Sequence, residues 1–310
     1  MIEVEQIRKN YNGNQALDGF SLQVARGELF GLVGPNGAGK TTLIKILATL
    51  LPPSSGAACI AGMDVRNHRN AVKQLVGYMP DQPGLYQDMR LREFLQFFAD
   101  AFHVSKHEQP AVIEGALSRS GLTERSDAFV EELSFGLKQR LVLAKTLLHG
   151  PKVLLLDEPA TGLDPIARLE LRQQLKQLNA EGMTILISSH ILSDLEDICT
   201  RVALISNGKN AADADGNQVI QLAQPAAARV HEIEVLGSAS DAAKAAASLP
   251  GVKVMHAEGS RLVAELTGGN AEAAALLRHL VTHGFDIVRF DYRSATLEER
   301  YQKAFGVKQP

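Results

Sequence analysis

Gly34-Pro35-Asn36-Gly37-Ala38-Gly39-Lys40-Thr41 decides how the rest of the chain is read. It matches the pattern GxxxxGK[ST], in which successive backbone N–H groups curl around a phosphate and glycines permit the close approach. Before it, Leu29-Phe30-Gly31-Leu32-Val33 is a short apolar run, as expected of a strand covered on both faces. After it, Leu43, Ile46, Leu47, Leu50 and Leu51 fall at helical spacing until Pro52-Pro53 stops the helix. A strand, a glycine loop and a helix in that order aim the helix N-terminus at the bound anion. Lys40 then reaches the β- and γ-phosphates, and the Thr41 hydroxyl can ligate Mg²⁺.

A second apolar strand strengthens the nucleotide reading. Lys152-Val153-Leu154-Leu155-Leu156-Asp157 ends in two neighbouring carboxylates, Asp157 and Glu158. Successive side chains on a strand point to opposite faces, so the two can do different work. Asp157 can hold the Mg²⁺ shell, and Glu158 can polarise a water in line with the γ-phosphate as general base. By itself such a pair would be an acidic strand-to-loop junction.

Working outward, residues 1 to 33 read as strands, with Ile2 to Glu5 and Phe20 to Val24 alternating and an Asn12-Gly13 turn between them. Residues from about 85 to 150 read as mainly helical: Arg92 to Phe102, Val112 to Gly121, and Ser134 to Leu148 with Ser134 as cap. Strands at Met183 to Ser188 and Arg201 to Ile205 alternate with helices at Pro165 to Asn179 and Leu192 to Cys199, which implies a parallel sheet with covering helices. Residues 207 to 228 are rich in Asn, Gly, Asp, Gln and Ala and read as a linker holding one short strand at most. Beyond it come Glu232–Leu236, a helix over Ser240–Leu249, strands Lys253–His256 and Arg261–Leu266, a helix over Ala271–His283, strand Asp286–Tyr292 and a last helix over Leu297–Phe305. That order fits a small ferredoxin-like sandwich.

Composition sets the outer limits. The chain has 310 residues, 45% hydrophobic and 22% charged, which excludes a disordered or collagen-like polymer and suits about two domains. A net charge of -3 gives no basic nucleic-acid surface. With only Cys59 and Cys199, the chain suits a reducing compartment and has no disulfide framework. The acidic, alternating N-terminus is unlike an export signal, and no apolar run approaches the length of a membrane span. The expectation is a cytosolic protein able to dock on something in a membrane.

Taken together, these motifs resemble the ATP-binding subunit of an ABC transporter over residues 1 to about 205. The family's elements stand in order: the P-loop from Gly34 to Thr42, a signature helix at Leu133-Ser134-Phe135-Gly136-Leu137-Lys138-Gln139-Arg140, the Walker B segment Val153 to Glu158, the loop Ala160-Thr161-Gly162-Leu163-Asp164, and a switch histidine, His190. The resemblance implies further roles. Tyr11 stacks on adenine. Ser134 and Gly136, at a helix N-terminus, donate hydrogen bonds to the γ-phosphate held by an opposite subunit, so that two half-sites close head to tail. Asp164 aligns that dimer interface and also caps a helix ahead of Pro165. His190 touches the γ-phosphate and the attacking water.

The implied fold is α/β: a P-loop, ABC-type ATPase core at 1–206 with an antiparallel β subdomain and a helical subdomain at about 85–150, a linker at 207–228, and a small α+β domain at 229–310. The implied cofactors are ATP and Mg²⁺. The implied partners are a second ATPase subunit, as homodimer or heterodimer, and a separate multi-span permease, with no nucleic acid. The implied place is cytoplasmic, peripheral on the membrane's cytoplasmic face through that permease.

Two departures from the family pattern stand out. The usual LSGGQ is here Leu133-Ser134-Phe135-Gly136-Leu137, with Phe135 in place of a glycine and Leu137 in place of the glutamine. In Gly77-Tyr78-Met79-Pro80-Asp81-Gln82 the family's Mg²⁺-sensing glutamine falls on Asp81, with Gln82 one place late. Asp81 is favoured, because Mg²⁺ takes oxygen ligands, and Gln82 is the alternative. The Tyr-Met-Pro-Asp segment followed by Gly84-Leu85-Tyr86 resembles ATPases that drive ABC-2-type exporters, and Ser294 to Tyr301 resembles the end of their C-terminal domain.

Other classes fit less well. A non-transport ABC-type ATPase acting on ribosomes or DNA would carry two cassettes or a long coiled-coil insertion, and neither is visible. A P-loop kinase or GTPase leaves the signature helix and His190 unexplained, and the chain has no Asn-Lys-x-Asp element.

Overall fold

The structure is a computed structural model, and it describes residues 1–82, 84–191, 193–211, 219–221, 229–267 and 269–293. Two compact units divide the chain, Met1–Leu222 and Ala223–Pro310. In the first, β1 (Ile2–Tyr11) and β2 (Asn14–Val24) form a hairpin, and β3 (Leu29–Val33) leads to α1 (Lys40–Leu47). Next come β4 (Ser55–Ile60), β5 (Met63–Asp64), α2 (Arg69–Leu75) and β6 (Val76–Met79). Helices α3 (Leu91–Ala101), α4 (Gln109–Arg119) and α5 (Phe135–Leu147) follow. Then come β7 (Val153–Asp157), α6 (Pro165–Ala180), β8 (Thr184–Ser189), α7 (Ser193–Glu196), β9 (Arg201–Ser206), β10 (Lys209–Ala211) and β11 (Val219–Gln221). The second unit holds β12 (Arg229–Leu236), α8 (Ala239–Ala247), β13 (Val252–Glu258), β14 (Arg261–Leu266), α9 (Asn270–Thr282) and β15 (Asp286–Arg293).

Strands β9, β3, β8, β7 and β6 lie side by side and parallel. Every residue of β3, β7 and β8 is buried, which is why each reads as an unbroken apolar run. Val33 pairs with Ser189, and Asp157 with Ser188, so the carboxyl ends of the three central strands are level. Ligands of open parallel sheets bind outside those ends.

A four-stranded antiparallel sheet, β2-β1-β4-β5, packs beside this one. Its strand β1 slips register between Val4 and Ile7, where Gln6 takes φ +46°, a bulge that lets the alternation resume on the core side. One apolar core joins both sheets through α1, with Ile2, Phe20, Leu43, Ile46, Leu155 and Leu186 among its members. The helical lobe has its own core, built on Leu91, Phe94, Ile113, Leu117, Leu141 and Ala144. Truncating any one of these leucines to alanine costs about 2–5 kcal/mol.

The stretch 207–228 is not simply a linker. Its residues Lys209–Ala211 and Val219–Gln221 pair with β9 and extend the first unit's sheet to seven strands. The sequence also gave no signal for β4 to β6 or α2.

In the second unit the antiparallel order is β13-β14-β12-β15. Ala239, Ala242, Ala246, Leu276 and Leu280 of its two helices cover Ile233, Val235, Leu262 and Leu266 of the sheet. The described elements run β-α-β-β-α-β, while Ser294 to Tyr301 and the last helix, Leu297–Phe305, lie outside the described residues. Among the described residues no helix is long and apolar enough to cross a membrane.

Candidate nucleotide site

The loop from Gly34 to Gly39 leaves the end of β3, with Pro35, Asn36 and Gly37 exposed. Gly39 turns it into α1 at φ +110°, where an added Cβ would lie 2.5 Å from the Ala16 carbonyl oxygen. Only glycine fits there. Lys40 opens α1 and is buried; its Nζ donates to the carbonyls of Gly34 (2.6 Å) and Pro35 (3.2 Å). The same Nζ lies 3.1 Å from Glu158 Oε1. Thr41 is exposed beside it and Thr42 half-buried.

Strand β7 stops at Asp157, and Glu158 takes φ +51°. The two carboxylates therefore part at a left-handed turn and not by the alternation of a strand, as the sequence suggested. That turn is fastened: the Glu158 N–H donates to Ser188 Oγ (3.0 Å), and Ser188 Oγ donates to Asp157 Oδ1 (2.8 Å). Glu158 Oε2 accepts from Thr161 Oγ1 (3.1 Å) and lies 2.7 Å from His190 Nδ1. His190 follows the end of β8, so the level strand ends bring Lys40, Glu158 and His190 into one contact chain.

The two carboxylates titrate in opposite directions. Burial raises Asp157, and the negative charges of Glu158 and Asp81 add to this; the hydroxyls of Thr41 and Ser188 pull the other way. Burial also works to raise Glu158, but the hydrogen bond from His190 and the charge of Lys40 outweigh it and hold Glu158 below its ordinary value. Glu158 thus stays ionised next to the loop. Asp157 is 1% exposed, yet its Oδ2 has no hydrogen-bond partner. A buried carboxylate oxygen left open, with the Thr41 hydroxyl nearby, suits a hard oxygen-seeking cation.

The remaining predicted residues fall in three places. Tyr11 ends β1, 40% exposed, with Lys9 Nζ 5.1 Å over its ring. Asp81 follows β6, exposed, and its charge raises both Asp157 and Tyr78, the latter to about 12 with burial the larger cause. Gln82 is exposed next to it. Ser134 caps α5, its Oγ accepting from the Leu137 N–H at 3.4 Å, and Asp164 caps α6 by accepting from Ile166 and Ala167 at 3.0 Å each. Gly136 has a packing duty too, since a Cβ there would lie 2.8 Å from Ala167 Cβ. Phe135 is 52% exposed, and its ring lies over Gly162, so the signature loop and the Asp164 loop touch within one chain. Among the described residues no hydrogen bond or ion pair joins Ser134 or Gly136 to the P-loop of their own chain.

A profile described as "ABC transporter" matches residues 17–161. Over 311 aligned residues the chain is 32% identical to a Nod factor export ATP-binding protein I from Ralstonia nicotianae, covering 99% of this chain and 94% of that one. The chain belongs to the ATP-binding subunits of ABC transporters. A protein of the same description from Burkholderia pseudomallei is 39% identical over 220 residues, 71% of this chain and 72% of its own length. Among solved structures, cbiO1 from Clostridium perfringens, described as part of the ABC transporter complex cbiONQ, superposes with TM-score 0.62 at 31% identity, covering 67% of this chain and 85% of that one. The subunit is an ATPase of the ABC cassette fold.

Two residues of this ABC subunit's site escaped the sequence reading. Ser188 links the Asp157 carboxylate to the Glu158 backbone N–H, and nothing in a strand ending Ser188-Ser189 marks it. Gly208 supports the P-loop from behind: its N–H donates to the Ala38 carbonyl (2.9 Å), and its own carbonyl accepts from the Asp18 N–H (2.8 Å). An Asn207-Gly208 pair following a strand is a hairpin signal that could have found it.

Proposed function

We propose that this subunit binds ATP with Mg²⁺, that two ATPase subunits enclose two nucleotides head to tail, and that closing and hydrolysis drive a separate membrane permease of the exporter class. Lys40, the P-loop N–H groups and Tyr11 hold the nucleotide. Thr41 and Asp157, the latter through water, with Asp81 alongside, hold the cation, which offsets phosphate charge when bound. Glu158 takes the proton of the attacking water, and His190 steadies Glu158 and the γ-phosphate. Ser134 and Gly136 close the partner's site, and Asp164 aligns the seam.

The observation that carries this reading is the contact chain Lys40–Glu158–His190 at the level ends of β3, β7 and β8. A base kept ionised beside the phosphate-binding lysine is what water attack needs. The dimer is supported by the N-capped α5, whose Ser134 has no tie to the P-loop of its own chain. The exporter class is supported by the Nod factor export relatives, and a permease partner by the cbiONQ description of a solved neighbour. In this reading the permease meets the surface around Asp81 to Asp88, where Tyr86 is 49% exposed, and the subunit sits on the cytoplasmic face of the membrane.

The test is the dependence of ATP turnover on protein concentration, read with sedimentation in Mg²⁺ and ATP. Specific activity is expected to rise with concentration as dimers form. Full turnover by a strict monomer would overturn the reading.

A further inference from the structure

We infer that Asp194 is a positioning residue for His190: paired with Arg168 and Arg172 and hydrogen-bonded through its N–H to Ile191, it fastens the residue after His190 to α6, the helix that Asp164 caps. The inference rests on the role proposed for His190.

Two hydrogen bonds hold the backbone of Ile191, the residue after His190. Ser189 Oγ accepts from the Ile191 N–H (2.9 Å), and the Asp194 N–H donates to the Ile191 carbonyl (3.3 Å). Asp194 then points inward, 3% exposed. A buried carboxylate must be paired, and two guanidinium groups meet it: Arg172 Nη2 at 2.9 Å and Arg168 Nε at 3.4 Å. Both arginines stand on one face of α6, one turn apart. Arg172 Nη1 also reaches Asp197 at 2.8 Å.

The far side of this clamp leads to the seam. Arg168 Nη2 donates to the Leu163 carbonyl (3.4 Å), next to Asp164. Elsewhere along α6, Glu170 pairs with Arg140 of α5, and Gln174 Nε2 donates to the Ser120 carbonyl (3.0 Å). The helix is thus tied to the signature helix as well as to the His190 turn. Among the described residues, His190 is held to the reaction centre by Glu158 alone, through Nδ1 (2.7 Å) and its N–H (3.4 Å). Its side chain is 36% exposed, so the placement of its backbone decides whether the ring stays on Glu158. Asp194 sets that placement and links it to the Asp164 loop.

Asp194→Asn keeps the shape and removes the charge. It is expected to lower kcat about tenfold or more, approaching the roughly 100-fold that an ångström's misplacement costs, with KM for ATP within about twofold. Asp194→Glu is expected to recover part of the loss. The side-chain ¹⁵N resonances of His190, assigned by their loss in His190→Ala, are expected to shift in Asp194→Asn. Where Asp194→Asn does not fold, Arg168→Gln is read in the same way. Wild-type kcat in Asp194→Asn overturns the inference. So does a fall in kcat with an unmoved His190 resonance, since a merely structural residue would give that. A His190→Ala variant with full turnover would instead overturn the proposed role of His190.

Discussion

Lys40 and Glu158 form an ion pair across the mouth of the P-loop, 3.1 Å apart, while the other oxygen of Glu158 faces His190. In the proposed function one lysine therefore serves two anions: the Glu158 carboxylate seen here and, when ATP binds, the phosphates. Glu158→Gln separates the two duties, because the amide keeps the volume and loses the charge. Turnover is expected to fall by about 100-fold or more, the contribution of a general base. ATP affinity, from titration with a fluorescent nucleotide, is expected to hold or to tighten by about threefold, equivalent to roughly 0.6 kcal/mol. Turnover within twofold of wild type would remove Glu158 as the base.

A second carboxylate tests the scaffold apart from the chemistry. Glu28 joins the start of β3 to the start of β9 through Arg201, at 2.6 and 2.8 Å, and accepts from the Ala25 N–H at 2.7 Å. Burial works to raise it, but Arg201 and the Ala25 N–H prevail, and its folded value lies below the ordinary 4.5. A lowered folded value gives stability that is complete above 4.5 and is lost as pH falls through the folded value. Glu28→Gln is therefore expected to cost roughly 1–3 kcal/mol in urea unfolding at neutral pH. Its deficit against wild type should shrink once the pH drops below 4.5. A deficit that stays constant with pH would mean that the charge of Glu28 contributes nothing.

Gly208 has φ +73°, and a Cβ there would lie 2.7 Å from both the Ala16 carbonyl oxygen and Leu17 Cα. Gly208→Ala should cost roughly 2–4 kcal/mol from the clash and the left-handed backbone together. It should also weaken ATP binding, because relieving that clash moves the backbone N–H of residue 208 away from the Ala38 carbonyl. Gly62→Ala is the control: φ is +78° but nothing lies within 4 Å, so only about 1 kcal/mol of backbone strain is expected and no change in ATP affinity. Equal effects at the two positions would show that the contact behind the P-loop is not felt.

The reason Gly208 was missed applies to much of what the sequence hid. Strands β3, β7 and β8 were legible because burial on both faces writes an apolar run into the chain. Helix α2 was not, because only Val72 of its seven residues is buried and no periodic face results. Strand β4, Ser55 to Ile60, carries small residues and finds its partner in distant β1, a pairing that no local pattern records. Strand β10 is three residues long, so its turn, Asn207-Gly208, passed as the start of a linker. At the candidate site, the glycine-loop pattern and the strand ending Asp157-Glu158 pointed to Lys40 and the two carboxylates, the family resemblance pointed to His190, and the structure brings Lys40, Glu158 and His190 into contact. The left-handed turn at Glu158 was not: Pro159 follows it, but a proline biases the residue before it toward extended backbone and gives no sign of a positive φ. Ser188, which locks that turn, depends on two strands being level, and only the folded sheet shows that.

The head-to-tail seam can be tested by mixing two inactive variants. Lys40→Ala removes the phosphate lysine of its own chain. Ser134→Arg blocks the capped end of α5 and leaves the P-loop of its own chain intact. If each site takes its P-loop from one chain and its signature from the other, a mixed dimer has one site with both faults and one with neither. Random mixing makes about half of the dimers mixed, and each keeps one site of two, so recovery to about a quarter of wild-type turnover is expected for independent sites. Neither variant should regain activity when mixed with itself. Ser134→Ala, which keeps the helix and removes the cap, should cost about 1 kcal/mol of stability, and the Arg variant counts as a block of the site where its turnover falls below that of Ser134→Ala at a similar stability. If the mixture stays inactive although sedimentation shows mixed dimers with ATP, Ser134 does not complete the opposite site.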